Sequence, residues 1–176
     1  MTSALAVTTI ATPLGGFTVI ADDEGVHGAG FADSIDELRV HLRGPARHAP
    51  VLRDPVLRVR HGVSAYFDGD LRALDPIAVR QSGSPLFLRT WSVLRETQPG
   101  EQLAYALLAR MAGAPGAIRA AASACARNNV CLVIPCHRVI RSDGSLGGYG
   151  YGLDRKRALL AHEELHSSGA SEHPAP

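Results

Sequence analysis

The chain is poor in cysteine, nearly devoid of lysine, and has no long apolar run. Its 176 residues include three cysteines, Cys125, Cys131 and Cys136, all in the second half. An odd number with no CxxC pair argues against a disulfide framework and for a reducing compartment. No stretch approaches the ~18 consecutive apolar residues of a membrane span. The start, Met1-Thr2-Ser3-Ala4, lacks a basic region ahead of an apolar one, so no secretory signal is expected. A cytoplasmic location without membrane attachment follows. The single lysine, Lys156, stands beside 17 arginines, which reads as codon bias rather than function.

What is present suits a globular protein of one or two small domains. The apolar share is 45%, the charged share 20%, and mean hydropathy is +0.02. The net charge of +1 hides an asymmetry. Residues 1–83 carry 8 Lys+Arg against 10 Asp+Glu, whereas residues 84–166 carry 10 against 6. The basic half also holds every cysteine, and its charge permits phosphate contacts without demonstrating them.

The first third reads as strands and turns. Pro13–Gly16 is a turn, Phe17–Ala21 is β-rich, Asp22–Gly25 turns again, and Val26–Phe31 returns as a hairpin. Ser34 with Glu37 forms a capping box that opens a short helix through Leu42. Gly44–Pro50 is a loop, and Asp54-Pro55 starts a helix running to about Phe67 and stopping at Asp68-Gly69. Leu71–Val79 is read as a further strand. His27, His41, His48 and His61 are scattered and are assigned surface or core roles.

Gln81–Pro85 is a linker candidate. Ser84-Pro85 then opens a helix with Leu86, Phe87, Trp91 and Leu94 at helical spacing. Tyr105–Met111 is a second helix, Gly113–Gly116 a tight turn, and Ile118–Arg127 a third helix, which together make a helix-turn-helix pattern. Between Arg119 and Arg127 the third helix is almost free of bulk. Its small side chains suit either close approach to a ligand or tight packing on a neighbour. Arg141–Gly152 is a glycine-dense loop with Tyr149 and Tyr151 embedded. Asp154 is read as the cap of a last helix, Arg155–His166, with a polar tail beyond it.

The central run is Val130–Ile140. Its apolar beginning reads as a buried strand that Pro135 ends. Cys136 therefore sits at a chain reversal beside His137. A metal site is not expected, because adjacent Cys and His rarely converge on one ion. His162 and His166 also lack a third ligand. An inert core role fits Cys125 and Cys131, but not Cys136, whose apolar surroundings are broken by proline, histidine and arginine. A nucleophile fits best. A thiol of ordinary acidity is mostly protonated at neutral pH and needs a neighbouring base, which His137 supplies. A carboxylate should orient that imidazole. Glu163 lies on the inward face of the last helix with Leu159 and Leu160, whereas Glu164 faces solvent.

The run Pro135-Cys136-His137-Arg138-Val139, with Arg119, Asn128, Gly148-Tyr149 and Glu163, resembles the O6-alkylguanine-DNA alkyltransferases over roughly Pro85–Leu165. The first half is similar only in layout and in short pieces such as Thr12–Gly15 and Tyr66–Leu71. The resemblance implies that Cys136 accepts the alkyl group, that His137 is its base through a water, and that Glu163 holds His137. It makes Asn128 a hydrogen-bonding hinge in the site. Tyr105 would rotate the nucleotide phosphate and donate a proton to the departing guanine. Arg119 would fill the gap left by an extruded base, with Ala120 and Arg127 also at the DNA. Tyr149, Gly150, Val139 and Cys125 would line the base pocket. Family members commonly carry proline where this chain has Asn129, serine where it has Ala104, and Phe-Gln where it has Leu86-Phe87.

The expected fold class is α/β. A small mixed sheet-and-helix domain spans 1–80. A helical domain with a winged helix-turn-helix-like DNA-binding unit spans 85–166, and a flexible tail spans 167–176. The expected partner is double-stranded DNA carrying O6-alkylguanine, with O4-alkylthymine left open, bound through the minor groove by a monomer. No cofactor or metal is expected. Two alternatives remain: a helix-turn-helix protein that binds DNA or alkylated lesions without chemistry, and a cysteine hydrolase.

Overall fold

The computed structural model describes residues 5–43, 51–52 and 57–168. The expected loop at Gly44–Pro50, the helix start at Asp54-Pro55 and tail residues 169–176 lie outside them. Residues 167 and 168, read as tail, belong to the last helix.

Three antiparallel strands open the chain: β1 (Leu5–Thr12), β2 (Gly15–Asp22) and β3 (Gly25–Phe31). Thr12 pairs with Gly15, so Pro13-Leu14 is the whole turn, and Gly15 closes it at φ 103°. β4 (Val51–Leu52) adds a parallel edge, giving the order β3-β2-β1-β4. Helix α1 (Ile35–His41) starts where the sequence places it. Ser34 accepts the Glu37 N–H at 3.2 Å, while the Glu37 carboxylate takes the Asp33 N–H at 2.8 Å. Helix α2 (Leu57–Phe67) stops at Asp68-Gly69, where Gly69 adopts φ 107°.

The strand expected over Leu71–Val79 does not form. Successive turns run from Leu71 to Pro76, and only Val79 makes a bridge, to Val26. The buried residues Leu71, Leu74 and Ile77 are spaced by three, which matches a coiling chain rather than the alternation of a strand.

In the second half, α3 (Pro85–Glu96) is capped by Ser84, whose hydroxyl accepts the Phe87 N–H, with Pro85 in the first turn. Its inner face carries Thr90, Trp91 and Leu94, and the Trp91 indole N–H donates to the Ala124 carbonyl at 2.9 Å. That bond and the buried Ala121 and Ala124 seat α3 against α5 (Ile118–Ala126). Strand β5 (Leu103–Ala104) leads into α4 (Tyr105–Met111), which turns at Gly113 into α5. Small residues therefore serve packing on the inner side of α5, while Arg119, Ser123 and Arg127 stay exposed on its outer side.

The apolar run Val130–Ile134 is not a strand. It is a tight turn in which Ile134 N–H returns to the Val130 carbonyl at 3.0 Å and Leu132 takes the left-handed value φ 70°. Apolarity foretold burial, not extension: all five side chains are in the core. A turn buried this deeply also satisfies its backbone on β3, with Ala29 N–H on the Asn129 carbonyl at 2.8 Å and Cys131 N–H on the Ala29 carbonyl at 2.9 Å. Cys136–Arg138 then form one 3-10 turn, followed by β6 (Val139–Ile140), parallel to β5, and α6 (Leu153–Ser168). The last helix begins before Asp154, which sits in its first turn and accepts from Arg157 at 2.8 Å instead of capping it.

One hydrophobic cluster joins both halves, with Phe17, Val26 and Ala29 of the sheet packed with Val130, Ile134 and Leu159. Among the described residues no helix is long and apolar enough to cross a membrane.

Candidate active site

Cys136 is half-buried at the start of the 3-10 turn and lines a cleft of about 370 Å³. That volume falls in the roughly 300–1,000 Å³ range of small-ligand sites. The 3-10 geometry follows from Pro135, whose fixed φ and missing N–H stop the preceding turn. Cys136 N–H is held by the Ile134 carbonyl at 2.8 Å. Asn128, at the exit of α5, donates from Nδ2 to the Ile134 carbonyl at 2.9 Å and to Cys136 Sγ at 3.4 Å.

Next in the chain, His137 is fully buried and its Nε2 lies 2.8 Å from Glu163 Oε1. The carboxylate is a hub. Oε1 also accepts from the Tyr66 hydroxyl at 2.8 Å and Arg138 Nη2 at 2.9 Å, and Oε2 accepts from Arg138 Nε at 2.9 Å and Gly100 N–H at 3.0 Å. Burial alone would raise the Glu163 carboxyl, but the hydrogen bonds and charges of His137 and Arg138 outweigh it and hold it well below the usual carboxylate range. An ionised Glu163 fixes the His137 tautomer with its proton on Nε2. Nδ1, buried with no hydrogen-bond partner among the described residues, is left with a lone pair.

Burial pushes the Cys136 thiol up, against the opposing hydrogen bond from Asn128 and the charge of Lys156. Burial likewise lowers His137, although Glu163 pulls it the other way. The resting pair is therefore thiol and neutral imidazole. Such a pair does chemistry by moving one proton from sulfur to nitrogen as the sulfur attacks. Among the described residues no group of three or more metal-ligating side chains gathers.

Residues 85–165 match the DNA-binding domain of 6-O-methylguanine DNA methyltransferase. The methylated-DNA–protein-cysteine methyltransferase of Salmonella typhimurium is 33% identical over 159 residues, covering 88% of this chain and 92% of that protein. The chain belongs to the methylated-DNA–protein-cysteine methyltransferase family. A relative of the same name from Haemophilus influenzae is 30% identical over 163 residues, covering 93% of this chain and 88% of its own. In three dimensions the chain is similar to a crystal structure of Mycobacterium tuberculosis OGT in complex with DNA. That likeness has a TM-score of 0.77 at 29% identity, covering 92% of this chain and 94% of the other.

The methyltransferase cleft brings together most of the residues singled out from sequence. Tyr105, Cys125, Asn128, Tyr149 and Gly150 line it with Cys136. Val139 does not. It is fully buried and its carbonyl takes the Lys156 ammonium at 2.5 Å. Arg119 and Arg127 are exposed and Ala120 half-exposed on α5, away from the thiol's hydrogen bonds. Arg127 lies over the Phe87 ring at 5.7 Å. Tyr149 donates to or accepts from the Cys131 thiol at 2.9 Å, which fastens the glycine-dense loop to the buried turn.

Five positions in and around the site escaped the sequence reading. Arg138 and Tyr66 complete the Glu163 hub. Lys156 is buried and donates to the carbonyls of Val139, Leu146 and Gly148, tying β6 to the loop. Its signal was present: 156, 159, 160 and 163 share one face of a helix. His41 and Arg43, from the first half, line the same cleft. Nothing in their local sequence distinguishes them.

Proposed function

We propose that this chain repairs DNA directly, moving the alkyl group of an O6-alkylguanine onto Cys136 Sγ in a single turnover. The reading is carried by one arrangement: a half-buried thiol lining a cleft, followed in the chain by a buried imidazole held by an ionised carboxylate. The family membership supports it.

The chemistry balances in one displacement. The thiol proton passes through a water to Nδ1 of His137 as Sγ bonds to the alkyl carbon. The carbon–O6 bond breaks and its electron pair stays on O6. The departing guanine takes a proton, and Tyr105, which lines the cleft, is a donor for it. Burial pushes the Tyr105 hydroxyl up to about 12, so it is protonated at neutral pH. The product is a thioether, a poor leaving group, and the protein is spent.

The alkylated base lies inside the duplex and must be extruded, at a cost of a few kcal/mol that is least for a damaged pair. Arg119, exposed near the start of α5, is assigned to the gap. The small residues around Ala120 suit the narrow minor groove, where bulk is excluded, with Arg127 at the backbone. Tyr149, Gly150 and Cys125 hold the flipped base. We assign the two functional parts to residues 1–80 and 85–166, and expect a cytoplasmic monomer acting on duplex DNA.

A Cys136→Ala variant tests the reading. It should lose transfer from an O6-methylguanine duplex while still retarding that duplex in a gel. Undiminished transfer by the variant would sink the assignment, and a wild-type protein that binds the duplex but is never modified would be a lesion-binding protein.

A further inference from the structure

The segment between the two halves reaches into the site. Gln81 Oε1 accepts the main-chain N–H of Asn129 at 2.9 Å, and its Nε2 donates to Asn128 Oδ1 at 3.2 Å. Asn128 Oδ1 also takes the Val130 N–H at 3.0 Å. With two donors on its oxygen, the Asn128 amide has only one orientation, and Nδ2 faces the Ile134 carbonyl and Cys136 Sγ. The order of donors is thus set from the main chain outward. The Asn129 N–H must meet an oxygen, which turns the Gln81 nitrogen to Asn128, which turns the Asn128 nitrogen to the sulfur.

Asn129 is itself locked. Its side chain accepts the Arg43 N–H and donates to the Arg43 carbonyl, both at 2.9 Å, and its own carbonyl holds Ala29 N–H. It is buried despite its polarity, as a fully bonded amide permits. A proline at 129 would delete the N–H that Gln81 uses and the amide that grips Arg43.

We propose that Gln81 is a positioning residue that acts through Asn128 to aim a hydrogen-bond donor at Cys136, with Asn129 as its anchor. The inference rests on Cys136 being the alkyl acceptor. The groups facing the sulfur agree with it. Tyr105 comes from α4, Cys125 from α5, His41 from α1, Tyr149 and Tyr151 from the loop, and all five are neutral at neutral pH, while Arg43 adds a cation to the cleft lining without a hydrogen bond to the sulfur. His137 beside it is neutral too, and Lys156 of α6 acts only through its field. The Asn128 amide donates directly.

The test compares wild type, Gln81→Ala, Gln81→Glu, Asn128→Ala and the Gln81→Ala/Asn128→Ala double variant. Two rates are read on the full-length protein: single-turnover transfer from an O6-methylguanine duplex, and iodoacetamide alkylation of Cys136 across pH. Gln81→Glu keeps the acceptor for Asn129 but loses the donor for Asn128, so it probes orientation without a cavity. Both Gln81 variants should slow transfer by roughly 3- to 10-fold, the worth of one hydrogen bond, and move the iodoacetamide midpoint upward. In the Asn128→Ala background, Gln81→Ala should change neither rate. Unchanged rates and midpoint, or a Gln81 effect that persists without Asn128, would overturn the proposal. So would slower transfer with the midpoint unmoved, the mark of a purely structural role. A wild type that takes no methyl from the duplex, while its midpoint still depends on Gln81 through Asn128, would sink the acceptor reading and leave the positioning intact.

Discussion

Arg138 grips Glu163 with two parallel bonds, Nε to Oε2 and Nη2 to Oε1, both at 2.9 Å, with the carboxylate sealed from solvent. Arg138 also reaches the Thr97 carbonyl and hydroxyl at 2.8 and 2.9 Å, so the pair ties α6 to the 3-10 turn and to the end of α3. Removing one partner of such a pair costs about 3–5 kcal/mol, because the other charge stays buried. Glu163→Gln should therefore lower unfolding stability by about that much in a denaturant titration, and should also slow transfer by loosening His137. Wild-type stability in that variant would mean that the pair contributes nothing.

The pH dependence of stability has a defined window. His137 is kept neutral in the folded state but binds a proton near 6.5 when unfolded, so its contribution falls as pH drops below that value. Glu163, held low when folded, adds a further loss below about 4.5. Cys136 is held up, so the unfolded chain ionises first above about 9.0 and stability falls there too. Stability should thus be greatest between these limits, and Glu163→Gln should remove the part of the acid loss that sets in below about 4.5. A flat profile from pH 5 to 7, measured by thermal melting, would contradict the burial of a neutral His137.

Arg119 is exposed and makes no contact with the thiol's hydrogen-bond network. Arg119→Ala should leave melting temperature and iodoacetamide reactivity of Cys136 unchanged, since exposed substitutions usually cost within ~0.5 kcal/mol. Transfer from duplex DNA should fall by roughly 10-fold or more, because a few kcal/mol of unstacking then lack compensation. Transfer from single-stranded substrate should fall less. Equal losses on both substrates would remove Arg119 from the base gap.

The loop over the site is seated on the first sheet by one close fit. A Cβ on Gly30 would fall on the Tyr151 hydroxyl. The Tyr151 ring meets Phe31 edge-on at 5.9 Å and leans on His41 at 4.6 Å. Gly30→Ala should destabilise by about 1–3 kcal/mol, the usual range for overpacking. Adding Tyr151→Ala should remove most of that penalty. A penalty that survives in the double variant would place its cause elsewhere.

Much of this was legible in the residues. Ser34 and Ser84 start their helices because local hydrogen bonds set a helix start, and such bonds are written within four residues. Glu163 was found by its face on α6. The run Val130–Ile134 was misread because apolar side chains report burial and are silent on φ, and Leu132 sits in the left-handed region that its neighbours do not announce. Leu71–Val79 failed for a related reason, a spacing of three taken as a strand. Arg138, Tyr66 and Gln81 owe their roles to partners distant in sequence, across 25 residues for Arg138 and 97 for Tyr66. No local pattern carries that information.

The most direct test is the intact mass of the protein after incubation with a duplex containing one O6-methylguanine, followed by peptide mapping. One methylene's mass should be gained per protein molecule, confined to the peptide bearing Cys136, with stoichiometric loss of the lesion and no further turnover. No gain in mass, a label on Cys125 or Cys131, or repair of many lesions per molecule would contradict the assignment of Cys136 as the acceptor.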